Sequence, residues 1–308
     1  MLHDGKINLL VSIIDVSPAV WATASSPAAF CTALDAILMY YNAHLAFSHG
    51  SQVAVITSGL ARCQYVYPSP VPISNETIRP GSAYENFWQV KEAIHQNIRK
   101  GAPAPTMQHG PRHNPDTLPD DTAARPGMAS ALAMALSYIN KRKNHSHGVP
   151  FHSRILVLSV SPDNAGEYVG LMNASFSAQK SAIPIDVCRL MCGPSVFLGQ
   201  AAYLTKGVYL ELSDMKTLLQ TLITVFMADT QSRDYLVLPA SENVDLRAAC
   251  FCHRQIVNRA FVCSVCLAAF CDYHPVCPTC KTTFSISTVI DPKATSTRAT
   301  IPIPKSTN

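Results

Sequence analysis

Seven of the chain's eleven cysteines crowd into 31 residues near its C-terminal end: Cys250, Cys252, Cys263, Cys266, Cys271, Cys277 and Cys280. Nothing else in the sequence restricts the fold as strongly. In a reducing compartment thiols packed this densely oxidise or scramble unless a metal holds them, so the crowding reads as ligation rather than as disulfides. Cys263-x2-Cys266 and Cys277-x2-Cys280 are separated by ten residues. Each pair can form a knuckle that presents two thiolates to one ion. Two knuckles make a closed tetrahedral set, the arrangement of a structural zinc site.

A second set surrounds the first: Cys250, Cys252, His253, Cys271 and His274. Taken in chain order, the pairs suggest a RING-like cross-brace, with pairs two and four on one zinc and pairs one and three on another. Only two residues separate His274 from Cys277, which leaves little room for the last loop of such a brace. Ligand count therefore leaves this set open between a second zinc and core thiols of a shrunken module. Phe251, Ile256, Phe261, Val262, Leu267 and Phe270 are expected to pack around the metal. The segment 248–286 is too short to fold without it. The scattered Cys31, Cys63, Cys188 and Cys192 are expected as small buried core residues.

The rest of the 308-residue chain holds ample material for a core, with 48% apolar and only 14% charged residues. Length predicts one large domain and a small one. Ile7 to Ile14 is a nearly unbroken apolar run ending at Asp15, which suits a strand buried on both faces. Further strands are expected at 52–57, 62–67 (an edge), 154–160, 183–187 and 207–210. Helices are expected at 28–47, 83–100, 128–139, 164–179, 195–204 and 212–226. Ser26 and Ser213 are the expected caps of the first and last, with Pro27 opening the first. Strands alternating with helices define an α/β fold, a doubly wound and mostly parallel sheet covered on both faces. The boundaries expected are a large domain over 1–228 with a disordered insertion at 101–120, a linker over 229–247, the zinc module over 248–286 and a disordered tail over 287–308.

A doubly wound sheet places functional loops at the carboxyl ends of its strands. Asp15-Val16-Ser17-Pro18-Ala19 lies there and is similar to the Asp-x-Ser-x-Ser metal loop of von Willebrand A domains. Ala19 replaces the second hydroxyl. Asp163 stands as the remaining acid, and Thr122 is a loose candidate for the threonine of that motif. Mg²⁺ wants about six oxygen ligands, so this degenerate loop of Asp15, Ser17 and Asp163 is expected not to work through Mg²⁺. Asp15 and Ser17 then cap backbone amides of the loop.

A net charge of +4 does not call for a nucleic-acid partner, and residues 248–286 offer no strong basic patch, so direct nucleic-acid binding is not expected. No uncharged apolar stretch reaches the ~18 residues of a membrane span. The N-terminus lacks the basic-then-apolar order of a signal peptide, and a soluble intracellular protein is expected. There is no Gly-x-Ser-x-Gly and no phosphate-binding Gly-rich Lys motif, which disfavours hydrolases.

Asn8 to Asp15, Ser153-Arg154-Ile155-Leu156-Val157, Arg247-Ala248-Ala249-Cys250-Phe251-Cys252-His253-Arg254 and Phe261-Val262-Cys263-Ser264-Val265-Cys266 together resemble the family of subunit 3 of general transcription factor IIH. The resemblance covers about residues 6–286. It implies a von Willebrand A-like domain followed by a small zinc-binding, RING-like or ribbon module. It also implies a nuclear, non-enzymatic core subunit that serves RNA polymerase II transcription initiation and nucleotide excision repair. The implied partner is a larger subunit, itself with an A-domain, whose RING-like module pairs with this chain's A-domain. Other core subunits are implied alongside it, and the helicases indirectly. The cross-brace spacing alone suggests an alternative, a RING-like ubiquitin ligase component.

Overall fold

In the computed structural model the residues described are 6–23, 28–48, 50–59, 63–68, 85–101, 127–146, 148–191, 193–230, 232–239, 244–253, 256–266 and 268–283. Ser26, Pro27, Thr122, Cys192, Arg254, Leu267, all but the first residue of the expected insertion, and the expected tail lie outside them.

In chain order the first unit contains β1 (Ile7–Asp15), α1 (Pro18–Trp21), α2 (Ala29–Phe47), β2 (Ser51–Ser58), β3 (Cys63–Tyr67), α3 (Glu85–Gly101), α4 (Met128–Asn144), β4 (Phe151–Ser159), α5 (Tyr168–Lys180), β5 (Ile185–Leu190), α6 (Val196–Leu204), β6 (Tyr209–Leu212) and α7 (Leu218–Thr224). The six strands form one sheet in the order β3-β2-β1-β4-β5-β6. All neighbours run parallel except β2 and β3, which are antiparallel at the edge. The structure thus agrees with the expected mostly parallel, doubly wound sheet.

Strand alternation divides the apolar run of β1 between two cores. Leu10 and Ile14 face a cluster built with Leu34, Ile37 and Tyr41 of α2, Val90 and Ile94 of α3, and Leu218 and Leu222 of α7. Leu9, Val11 and Ile13, all fully buried, point to the opposite face, where α4 covers β1 and packs beside α5, itself beside α6. Burial on both faces is why β1, the middle of β2 and the second half of β4 read as nearly continuous apolar runs rather than as alternating ones. Gly207 lies just before β6 because a Cβ there would stand 1.9 Å from the Ile185 carbonyl oxygen.

Several boundaries differ from the sequence expectation. The last helix is capped by Asp214, whose carboxylate accepts from Lys216 N, and it opens as a 3₁₀ turn over Met215–Thr217; Ser213 is not the cap. Helix α2 begins one residue after Ala28, which stands at its N-cap position. Pro18 opens a short helix, α1, where a loop was expected. Of the scattered cysteines Cys188 is buried and Cys63 half-buried, but Cys31 is exposed.

The expected linker is the largest departure. The unit that begins with β1 runs on through Leu246, so residues 229–246 go with the large domain, and the second unit starts one residue before the expected module. A 3₁₀ turn over Ser232–Asp234 carries Arg233 onto Asp186 of β5, and Gln200 of α6 donates to the Asp245 carbonyl at 2.6 Å. Arg154 of β4, 1% exposed, donates to the carbonyls of Phe226 and Ala228, both at 2.6 Å, and of Met227 at 3.3 Å. A polar stretch with a proline looks like a linker in sequence, but here Arg233 and the Asp245 carbonyl bond buried partners, Asp186 and Gln200.

The second unit starts at Arg247. Among its described residues the regular structure is one small antiparallel pair, β7 (Phe261–Val262) with β8 (Ala269–Phe270), and two isolated bridges, Ala249 with Ile256 and Val276 with Thr283. Its core is Cys263, Ala268, Phe270 and Cys277, with Phe251, Cys266 and Cys280 against them. Phe261 and Val262 were expected inside, yet they are 52% and 60% exposed, and Ile256 is exposed as well. A two-residue strand pair has too little sheet to cover both faces, so cysteines make up half of the module's small buried cluster.

Candidate metal centres and the carboxyl edge of the sheet

The β7–β8 turn and the turn over 277–281 bring the first four thiols together. Cys263 N donates to the Ala268 carbonyl, Cys277 N donates to that of Thr282, and Cys266 N donates to Cys263 Sγ at 3.4 Å. Lys281 adopts φ +62° to close the second knuckle. The four Sγ atoms of Cys263, Cys266, Cys277 and Cys280 lie within 4.8 Å of one another. Cys263 and Cys280 are separated by 3.7 Å and Cys266 and Cys277 by 3.6 Å. Disulfide sulfurs stand about 2.05 Å apart, so these are not disulfides. Thiolates about 2.3 Å from a zinc at tetrahedral angles stand about 3.8 Å apart, close to the separations found. The Thr282 hydroxyl and amide hold the Cys280 thiol down at about 6, which favours the thiolate that a metal takes.

The second group is Cys250, Cys252, His253 and Cys271, again within 4.8 Å of one another. Cys271 Sγ is 3.2 Å from Cys252 Sγ and 3.1 Å from His253 Nδ1. Hydrogen bonding to Cys252, then burial, pushes the Cys271 thiol up to about 11. Thiols this close do not ionise together without a cation among them. Cys250 is buried, whereas Cys252 and His253 are exposed. His274, expected in this set, does not join it. Its ring packs edge-on against Phe270 at 5.2 Å, and its buried Nε2 has no hydrogen-bond partner. Cys250, Cys252 and His253 all lie between the bridged residues Ala249 and Ile256, so three ligands come from one stretch of chain and Cys271 completes the group. Both groups can hold a metal ion, the first with four thiols and the second with three thiols and an imidazole, donor sets that suit zinc.

The carboxyl edge of the large sheet has a different chemistry. The strand order reverses direction at β1, so the loops after β1 and β4 flank the switch point where ligands bind in folds of this class. Asp15, fully buried, spans that gap. Its Oδ1 accepts from Ser17 N at 3.1 Å, and its Oδ2 accepts from Val160 N at 3.2 Å and Ser161 N at 2.8 Å. Trp21 Nε1 donates to the Asp15 carbonyl. Asp163 accepts from the Ser195 hydroxyl and, at 3.1 Å, from Phe197 N, where it meets the N-terminal turn of α6. Glu167 accepts from Ala129 N in the first turn of α4 at 3.0 Å, and burial pushes its carboxyl above the usual range. Sequence reasoning singled out Asp15, Ser17 and Asp163 but missed Glu167, Ser195 and Arg189. Arg189 left a signal, a lone cation inside the apolar run of β5.

A six-stranded sheet of this order, followed by a cysteine-rich module, defines a von Willebrand A-like α/β domain with a candidate zinc module at its C-terminal side. The chain belongs to the Transcription factor Tfb4 family, whose sequence pattern matches residues 7–281. It is 35% identical over 283 residues to the general transcription and DNA repair factor IIH subunit tfb4 of Schizosaccharomyces pombe, covering 91% of this chain and 89% of that protein. It is 34% identical to the TFB4 subunit of Arabidopsis thaliana, covering 96% and 94%. Among solved structures it is similar to the TFIIH p34 N-terminal domain, with 32% identity and a TM-score of 0.55 over 70% of this chain and 96% of that one.

Proposed function

We propose that this chain is a non-catalytic structural and regulatory subunit of general transcription and DNA repair factor IIH, acting in the nucleus through protein contacts. The observation that carries this reading is the extent of the family match. Residues 7–281 include the whole sheet and every member of both cysteine groups, so the match covers the two units together rather than a widely shared fold alone. In this reading each group holds one structural zinc, and the ions supply the stability that so small a sulfur-lined core lacks. Phe261, Val262, Val265, Tyr273 and Val276 of the module are all more than a third exposed. Large apolar side chains turned outward from so small a unit favour burial against another protein. The partner proposed for the A-domain is the larger subunit with its own A-domain, with the remaining core subunits and the helicases reached through the assembly.

The test is co-expression of the full chain with that larger subunit. A stable stoichiometric complex on size exclusion is expected. A chain that elutes alone as a monomer, and fails to capture the larger subunit from a mixture of the core subunits, overturns the assignment.

A further inference from the structure

The edge of the sheet where von Willebrand A-like domains are expected to hold a divalent ion does not fit one here. Both oxygens of Asp15 are engaged by three backbone amides, and both oxygens of Asp163 are engaged by Ser195 and Phe197 N. Ala19 brings no oxygen to the loop. The cleft between these groups measures about 30 Å³ and is lined by Asp15, Ser159, Ser161, Asp163 and Glu167 among others. That is room for a water or two, while Mg²⁺ keeps several waters of its own.

A cation is nevertheless present. Arg189, next to last in β5 and 2% exposed, bonds two residues that line the same cleft, Ser159 and Ser161. Its Nη1 donates to Ser159 Oγ at 2.7 Å and to the Ser161 carbonyl, and its Nε donates to the Gly193 carbonyl at 3.1 Å. One guanidinium thus joins the end of β4 and the loop after it to the loop between β5 and α6. We propose that Arg189 is the permanent cation of this edge and a positioning residue: it sets the loops bearing Asp15's amide partners and Asp163 so that amides and the Ser195 hydroxyl, rather than a divalent ion, satisfy the two carboxylates. A guanidinium suits the task because it never loses its charge and holds its donors in a fixed plane.

Charge and packing are separable by experiment. The zinc-loaded full chain is titrated with Mn²⁺ and free ion is followed by electron paramagnetic resonance. The natural chain is expected to show no saturable site up to about 1 mM. Arg189→Met removes the cation and releases the loops it holds, freeing carboxylate oxygens that their amides now occupy, so its Mn²⁺ affinity is expected to rise by about tenfold or more. Adding Asp15→Asn to that variant should abolish the gain. Ser159→Ala, which loses a hydrogen bond but keeps the charge, should gain nothing. A natural chain that binds one Mn²⁺ saturably, and loses it on Asp15→Asn, overturns the proposal. So does an Arg189→Met protein that folds and gains no affinity. If Arg189→Met does not fold, Arg189→Lys keeps the charge and loses the planar fork. It should melt lower than the natural chain and still take up no Mn²⁺, and uptake by it counts against the proposal equally.

Discussion

Arg233 and Asp186 meet side by side, Nη1 to Oδ1 at 2.8 Å and Nη2 to Oδ2 at 2.5 Å, with both side chains largely out of solvent. Asp186 Oδ1 also accepts from Val208 N at 2.9 Å, so the pair ties the segment after α7 to β5 and to the start of β6. A buried pair is not strong evidence of net stabilisation, because both charges were desolvated to make it. Removing one partner is costly all the same, since the other is left buried and alone, typically at about 3–5 kcal/mol. Arg233→Met is expected to destabilise the first unit by that amount, and replacing both residues with apolar ones should cost much less. Urea unfolding followed by tryptophan fluorescence isolates the effect, because Trp21 and Trp88 both lie in the first unit. A single variant with an unchanged midpoint would remove the anchor from the account.

That anchor was not legible in the sequence, whereas the sheet was. Strands such as Ile7–Asp15 announce themselves because burial on both faces demands apolar side chains at most positions, and in Phe151–Ser159 the run Ile155 to Leu158 does the same. Buried charges follow no such periodicity. Arg154, Asp186 and Arg189 interrupt apolar strands, which signals that each must find a partner, but not which one. Arg154 and Asp186 found theirs in or beside the stretch that composition marks as a linker. The four-cysteine group was legible because its knuckles are local and each spacing is fixed by one turn. The second group was only half legible. Choosing His253 over His274 depends on the turn between Ala249 and Ile256, and a Cys-x-Cys spacing does not encode it.

His44, in the last turn of α2, is 2% exposed, and its Nε2 has no hydrogen-bond partner. Burial, with the Arg154 guanidinium adding to it, pushes its pKa down from 6.5 to about 4. The native state therefore keeps the ring neutral, while the unfolded chain protonates it near its ordinary value. Between those two values the unfolded state binds more protons, so stability is fully present above about pH 6.5 and falls as the pH drops toward 4. A loss of about 3 kcal/mol is expected across that window. Urea midpoints at pH 7.5 and pH 4.5 measure it. His44→Gln should flatten most of the difference, and an equally steep fall in that variant would assign the acid lability elsewhere.

Metal removal should act on the second unit alone. Elemental analysis of the purified chain is expected to give two zinc per chain. Cys266→Ser should reduce that to one or none and unfold the module, because the thiols are most of its core. Cys252→Ser, in the exposed group, should remove one ion and leave the Cys263, Cys266, Cys277 and Cys280 site loaded. Tryptophan fluorescence of the first unit should not move in either variant. A natural chain without zinc, or a Cys252→Ser chain that still carries two, is the result that contradicts this arrangement.

Asp15 offers the sharpest contrast between a loop cap and a structural keystone. An ordinary cap satisfies one amide, and replacing it by alanine costs about 0.5–2 kcal/mol. Here one fully buried carboxylate serves Ser17 N, Val160 N and Ser161 N, and those amides belong to the loops after β1 and after β4. Asp15→Ala leaves three buried donors without an acceptor, and each costs roughly 1–3 kcal/mol unless water enters. The cleft beside them has space for at most a water or two, so compensation is partial. A loss of about 3 kcal/mol or more is therefore expected, together with faster amide exchange at Val160 and Ser161. Asp15→Asn keeps one carbonyl oxygen and turns the other acceptor into a donor facing an amide. It should fall between the natural chain and Asp15→Ala if the amide presents its oxygen to the β4 loop. Hydrogen exchange read residue by residue distinguishes this from a general loosening: protection should drop at the three donors first, and a uniform drop across β1 and β4 would mean that Asp15 acts through the sheet as a whole rather than by bridging its two loops.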